Sequence, residues 1–268
     1  MKRTIITFIM VLTAAAAVSC GSKTEAPEPA SEVSEVSAEE SSGEENSSDY
    51  ENEKKLKREK MLNESLDYID LTAEPFPECE SIPEDWQEIS FGNISARCPA
   101  DMTVLEKDEY SAEYADEDYN KSIEIYAAQE HEADSQGGPW FPEINTDTVK
   151  RIFGKLGLDF DGSYASYYKD VLSYTSENSD DLGEDDFQSA KIMKYVALHD
   201  FERVYHRDIS DLDGYVGKLE STKYFERFGV YIFDGNTEYY VSADAETAEE
   251  ALMMCSTIEV KRKREISE

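Results

Sequence analysis

The feature that most constrains this chain is an acidic, low-complexity segment that cannot contribute to a packed core. Residues 21–53 consist mainly of Glu, Ser, Ala and Pro, with eleven acidic residues and one lysine. This composition buries too little apolar surface to offset the entropy lost on ordering, and its like charges extend the chain. We therefore predict a disordered acidic tether, which leaves the residues after it to build the folded part.

A short segment with the pattern of an export signal precedes the tether. Lys2 and Arg3 provide a positive start, and residues 4–17 form an apolar run. A membrane-spanning helix needs about 20 apolar residues, so this run is too short to be one. It fits the apolar core of a signal peptide, which we assign to residues 1–20.

The end of this segment, Ala17-Val18-Ser19-Cys20, resembles the lipobox of bacterial lipoproteins. The resemblance implies cleavage before Cys20 and a diacylglyceryl group on its sulfur. Because two or more acyl chains anchor a protein stably, the chain is expected outside the cytoplasm, lipid-anchored to the cell membrane through Cys20. An ordinary secretory signal with an unrelated cysteine is the alternative.

The acidity extends into the part that folds. The formal net charge is −34, of which −26 belongs to residues 54–268. This sign disfavours binding to nucleic acid phosphates and electrostatic attachment to anionic lipid. An acidic surface attracts cations or basic partners, but more often it keeps a secreted protein soluble.

Local patterns after the tether predict alternating strands and helices. Residues 54–80 are interpreted as a helix and a linker, residues 81–262 as one α/β domain and residues 263–268 as a tail. Apolar periodicity places the first helix at 52–71. Strands and turns are predicted at 87–91, Gly92-Asn93, 94–98, 102–105, 122–127, 214–220, 225–233, Asp234-Gly235-Asn236, 238–243 and 258–260. Helices are predicted from a cap at Asn145 or Thr146 to near Gly157, from Ser163 to about Ser176 and over 245–257. An acidic loop is predicted at 177–186, and the segment 188–199 is ambiguous between helix and strand.

The two ends of this domain carry turn and terminus patterns of a known kind. The hairpin Phe91-Gly92-Asn93-Ile94-Ser95 leads to Pro99, and a closing helix leads to Ser256-Thr257-Ile258-Glu259-Val260. In this order the chain, over about residues 86–261, is similar to the PsbP-like α/β domain of many bacterial lipoproteins. The resemblance implies an α+β fold, in which helices cover a central and mostly antiparallel sheet, and a non-enzymatic, assembly-assisting or unknown role.

Three cysteines follow Cys20, so at least one of them stays unpaired. Cys79 precedes the first hairpin and Cys98 ends it, which suggests a disulfide between them in an oxidising compartment. Cys255 lies in an apolar run and is interpreted as buried. The chain has no Cys-x-x-Cys motif, so neither a thioredoxin-type centre nor a zinc knuckle is indicated.

Acidic and histidine-containing segments are candidate metal sites. The stretch from Asp116 to Glu124 places oxygen-bearing side chains at alternate positions, as in a calcium loop, but Lys121 stands where that loop requires glycine. His199 and His206 could align on a helix, although the closer spacing of a zinc site is absent. We therefore predict no metal site, no catalytic residue and no cofactor.

The loop at residues 137–142 holds two adjacent aromatic residues, Trp140 and Phe141, between prolines. They could form a rigid binding edge for a peptide or a sugar, or they could fill the core ahead of the next helix. The pattern favours the core role.

Taken together, these patterns favour a membrane-anchored extracytoplasmic lipoprotein that acts as a non-catalytic binding or assembly module. Its expected partners are the membrane, through the lipid on Cys20, and another envelope protein, with no nucleic acid. An extracytoplasmic hydrolase with an unrecognised site, or a cation-binding protein, is the alternative.

Overall fold

The computed structural model describes residues 68–131, 145–222 and 224–261. The predicted signal peptide with Cys20, the tether, most of the helix predicted at 52–71, the Trp140–Phe141 loop and the tail lie outside these residues. Within the described ranges, no helix has both the length and the apolar character needed to cross a membrane.

The described residues form an α+β fold with a large, mostly antiparallel sheet and four helices, in agreement with the predicted class. The strands are β1 Ala73–Pro75, β2 Gln87–Phe91, β3 Ile94–Cys98, β4 Thr103–Lys107, β5 Ser111–Ala115, β6 Ser122–Tyr126, β7 Gln129–Glu130, β8 Phe201–Ile209, β9 Leu212–Leu219, β10 Glu226–Asp234, β11 Thr237–Ala245 and β12 Glu259–Val260. The helices are α1 Thr146–Lys155, α2 Tyr164–Ser173, α3 Glu184–Leu198 and α4 Ala248–Ser256, with a 3-10 turn at Ser176–Asn178.

The main sheet has nine strands, in the order β1-β8-β9-β10-β11-β6-β5-β4, and β7 pairs with β11. Only the short β1 runs parallel to its neighbour, β8; the other described pairs are antiparallel. A second sheet contains β12, β3 and β2.

The first predicted hairpin is confirmed, because β2 and β3 pair from Gln87↔Cys98 to Phe91↔Ile94. Gly92 has a φ of +55°, a value that favours glycine in the turn. The strand predicted at 258–260 is present as β12, which pairs with β3 in the small sheet.

The helix starts follow from side-chain caps. Asn145 and Ser163 accept hydrogen bonds from the backbone N–H groups of Thr148 and Ser166, at 2.9 and 3.1 Å. The acidic loop predicted at 177–186 is too long, because α3 already begins at Glu184. Carboxylates in the first turn of a helix offset its N-terminal partial charge, which favours that start.

Two hydrophobic cores lie on opposite faces of the main sheet. One is formed with the small sheet and α4, and the other with α1, α2 and α3. Alternation along the strands divides neighbouring residues between the cores: Val216 and Ile232 belong to the first, Tyr215 and Phe233 to the second. The buried sheet residues of the second core come from β8, β9 and β10, so the helices cover these strands and leave β11, β6, β5 and β4 less covered.

Candidate ligand-binding face

The less covered part of the main sheet presents polar and aromatic side chains. On β11 and β6, the buried residues Val241 and Ile125 face the first core, and the residues that alternate with them are only partly buried. We call the resulting surface the tyrosine–glutamate face; it consists of Glu106, Glu113, Glu124, Tyr126, Tyr231 and Tyr240.

Three glutamates form a row across strands β4, β5 and β6. Glu106 lies opposite Glu113, and Glu113 lies opposite Glu124 in the strand register. Like charges at directly opposite positions destabilise a sheet. Burial raises the pKa of Glu113, and the charges of Glu124, Glu106 and Asp244 raise it further. The row therefore concentrates negative charge where water screens it only partly.

Three tyrosines lie beside this row and contact one another. The ring centroids of Tyr126 and Tyr240 are 5.1 Å apart, and those of Tyr231 and Tyr240 are 4.6 Å apart. Tyr240 also lies against Gly229, where an added Cβ atom would come within 3.1 Å of the tyrosine ring and hydroxyl. A glycine at this position lets the ring lie close to the backbone of β10.

Hydrogen bonds fix the orientation of Glu124. Its two carboxylate oxygens accept hydrogen bonds from the hydroxyls of Ser111, at 2.8 Å, and Tyr126, at 2.5 Å. Burial raises the pKa of the Tyr126 hydroxyl, and its hydrogen bond to Glu124 raises it further. The tyrosine therefore stays protonated and keeps the carboxylate in place.

An arginine–aspartate pair borders the face. Arg227 Nε lies 3.2 Å from Asp244 Oδ2, and the two residues are opposite each other on β10 and β11. Burial raises the pKa of Asp244, whereas Arg227 lowers it. This pair shows that the sheet surface accommodates a guanidinium group against a carboxylate.

The arrangement is suited to binding a cation. Carboxylates accept charge-assisted hydrogen bonds from ammonium and guanidinium groups, and the faces of tyrosine rings attract the same groups. Burial also raises the pKa of Glu113, Tyr126 and Tyr240 on this face.

The described cysteines Cys79, Cys98 and Cys255 are free thiols. Burial raises the pKa of each of them, and Cys98 and Cys255 are fully buried, the latter as predicted. The charge of Arg207 lowers the pKa of Cys79. For Cys98, the charge of Asp101 raises the pKa and that of Lys121 lowers it. The predicted Cys79–Cys98 disulfide is not formed in this structure and stays a prediction for the oxidised protein.

The acidic stretch first compared with a calcium loop forms a turn. Asp116 Oδ1 accepts hydrogen bonds from the backbone N–H groups of Asn120 and Lys121, at 2.7 and 3.1 Å. At the end of the acidic loop predicted at 177–186, Asp186 lies 2.6 Å from both Arg151 and Lys155. It therefore holds α1 against the start of α3.

The two histidines considered for a helix do not share one. His199 follows the last residue of α3, and His206 lies in β8. The predicted helical alignment of His199 and His206 is wrong, because His206 lies in a strand. The many charged residues of β8 obscure its strand pattern. Its pairing with both β1 and β9 stabilises it as a strand.

Comparisons with known proteins give a distant structural similarity. No protein-family model and no curated protein matches the chain. A crystal structure of a protein from Bacteroides thetaiotaomicron VPI-5482 is similar over 64% of this chain, with 14% sequence identity and a TM-score of 0.31. The match covers 46% of that protein, so the chain spans less than half of its length.

Proposed function

We propose that this protein is a lipid-anchored, extracytoplasmic binding module that holds a basic segment of an envelope protein on its tyrosine–glutamate face and catalyses no reaction. The observation that carries the proposal is the row of Glu106, Glu113 and Glu124 beside three tyrosines.

Charge complementarity supports a basic ligand. A lysine or arginine side chain placed between Glu113 and Glu124 relieves the repulsion between them, and its charge can also lie over the ring of Tyr126 or Tyr240. These side chains are partly buried, so such a contact is stronger than an exposed surface ion pair, which contributes about 0–1 kcal/mol.

The domain itself is proposed to be PsbP-like. Support comes from the β2–β3 hairpin, from the pairing of β12 with β3, and from helix α4 directly before β12. The resemblance carries an expectation of an assembly-assisting role, which agrees with a surface that binds a partner and holds it.

The anchor is proposed to be the lipid on Cys20, with the acidic tether as a spacer. Cells grown with an alkyne-tagged fatty acid test it: the wild-type chain and a Cys79→Ala control should take up the label and stay with the membrane fraction. Cys20→Ala should do neither. An unlabelled wild type, or a labelled and anchored Cys20→Ala variant, contradicts the anchor.

The binding proposal is tested with a fluorescein-labelled peptide of alternating lysine and glycine, added to the full chain in detergent at 0.15 M salt. Glu113→Gln/Glu124→Gln removes two charges from the face, and Asp180→Asn/Asp181→Asn removes two charges from an exposed loop. Both variants change the net charge equally. We expect the first to weaken binding about tenfold, a loss of ~1.4 kcal/mol, and the second to leave it nearly unchanged.

Equal effects of the two double variants would mean that the peptide responds only to net charge, and the proposal would be wrong. Unchanged binding in both variants would also contradict the proposal. Circular dichroism of each variant establishes that the fold is retained.

A further inference from the structure

A tight hairpin near the β1 end of the main sheet brings a histidine and two aspartates together. Strands β8 and β9 are joined by Ser210 and Asp211, whose φ values of +53° and +63° are those of a two-residue turn with both residues left-handed. The register that follows places Asp208 opposite Asp213.

The three side chains share one face of the hairpin. His206 and Asp208 are two residues apart on β8 and therefore point to the same side, and Asp213 joins them from the opposite strand. One ligand atom from each residue lies within 4.8 Å of the other two, and His206 Nε2 is 3.1 Å from Asp213 Oδ1.

The position of His206 is fixed by its neighbours. Its backbone carbonyl accepts a hydrogen bond from the N–H of Phe76 at 3.0 Å, and its ring lies against Tyr215 with 5.3 Å between centroids. The side chains of His206 and Asp213 remain 41% and 38% exposed, so an ion can reach them from solvent.

The charges on this face are unbalanced. Asp208 and Asp213 are like charges at directly opposite positions, an arrangement that destabilises a sheet unless something offsets it. The intervening Arg207 does not offset them, because its guanidinium donates to the Cys255 carbonyl at 3.0 Å and lies over the Phe76 ring. Cys255 belongs to the core on the opposite face of the sheet.

We propose that His206, Asp208 and Asp213 bind a divalent transition metal ion. His206 Nε2 and one oxygen of each aspartate are its three protein ligands, and water completes the coordination. In a tetrahedral site with bonds of 2.0–2.1 Å, neighbouring ligand atoms are about 3.3 Å apart, close to the observed 3.1 Å. An imidazole ligand favours zinc, copper, iron or nickel over calcium and magnesium, which prefer oxygen ligands.

The metal site is independent of the tyrosine–glutamate face. It lies on β8 and β9, whereas the glutamate row lies on β4, β5 and β6 at the other end of the strand order. Failure of either proposal therefore leaves the other standing.

Zinc titration of the chelator-treated full chain in detergent, measured by isothermal calorimetry, tests the site. The matched control is His199, which lies 3.3 Å from Asp200 and has similar exposure, and which has no third ligand among the residues that the structure describes. We expect one zinc site in the wild type and in His199→Gln. In His206→Gln and Asp213→Asn, we expect its affinity to fall by at least about tenfold, the lower end of the loss caused by removing even an outer-shell partner of a metal ligand.

Thermal unfolding gives a second readout, because zinc bound along the acidic tether would not stabilise the fold. Zinc should raise the unfolding temperature of the wild type and of His199→Gln, and should not raise that of His206→Gln, because an ion stabilises only a fold that holds it. A loss of affinity below about tenfold in His206→Gln, or equal losses in His206→Gln and His199→Gln, overturns the proposal.

Discussion

Replacing Glu113 by glutamine should make the protein more stable at neutral pH while weakening its binding to a basic ligand. Glu113 lies between Glu106 and Glu124 in the strand register, and burial together with these charges raises its pKa. A carboxylate that is harder to ionise in the folded state lowers stability whenever it is ionised. Glutamine has nearly the same shape and no charge, so it removes that cost.

The size of the gain follows from the two like-charged neighbours. Directly opposite residues in a sheet interact with about 0.2–1 kcal/mol each. Glu106 is exposed and contributes at the lower end, so we expect Glu113→Gln to add roughly 1 kcal/mol. For a folded part of this size, this is about 2–4 °C in the unfolding temperature.

The pH dependence gives the effect a signature. The penalty from Glu113 is present above its raised pKa and disappears as the pH falls below the ordinary value of 4.5, because the side chain is then protonated in both the folded and the unfolded state. Urea unfolding at pH 7 and pH 4 measures both limits. The control is Glu117→Gln, which removes one charge from an exposed loop.

The reasoning is refuted if Glu113→Gln lowers stability at pH 7. It is also refuted if Glu117→Gln stabilises the protein by the same amount, because the gain would then reflect only the net charge.

Two further predictions concern packing and the pairing of helices. Gly217→Ala should lower the free energy of unfolding by about 1–3 kcal/mol, because the new Cβ would collide with the Phe201 ring. The matched change Gly154→Ala in α1 meets no atom within 4 Å and should leave the free energy of unfolding unchanged or raise it by about 0.5–1 kcal/mol. Urea titration compares the two; equal effects contradict the packing. Asp186→Asn should lower stability by about 1 kcal/mol at pH 7, since hydrogen bonds from Lys155 and Arg151 lower the pKa of Asp186. The loss should vanish as the pH falls below the ordinary 3.8 through that lowered pKa, and Asp185→Asn should show no such dependence.

The parts of the fold that depend on nearby residues could be predicted from sequence. Gly92 and Asn93 form the turn of the first hairpin as predicted. Asn145, one of the two predicted caps, caps α1, and Ser163, the predicted start of the second helix, caps α2. In each of these, the residue that determines the structure lies within a few positions of the structure it determines.

Strands that are short, or whose own sequence alternates weakly, could not be predicted from sequence. The sequence of β8 alternates charged and apolar residues poorly, and its pairing with β1 involves residues more than 100 positions away. The short β5 was missed as well, so the pairing that aligns Glu113 with Glu124 and Glu106 could not be anticipated.

The candidate metal ligands depend on strand pairing. His206 could be singled out from the sequence, but Asp208 and Asp213 join it only through strand β8 and the register of the β8–β9 turn. A search for histidine and aspartate two residues apart on a strand, followed by a two-residue turn and another aspartate, would have found this cluster.

Carbodiimide crosslinking in intact cells tests the central claim most directly, because it joins a carboxylate only to a lysine in contact with it. If the tyrosine–glutamate face holds a basic segment of an envelope protein, the crosslinked carboxylates of the full chain will be Glu106, Glu113 and Glu124. The crosslinked partner will be lost in Glu113→Gln/Glu124→Gln and retained in Asp180→Asn/Asp181→Asn. Crosslinks spread over other acidic residues, with equal yield in both double variants, would contradict the account.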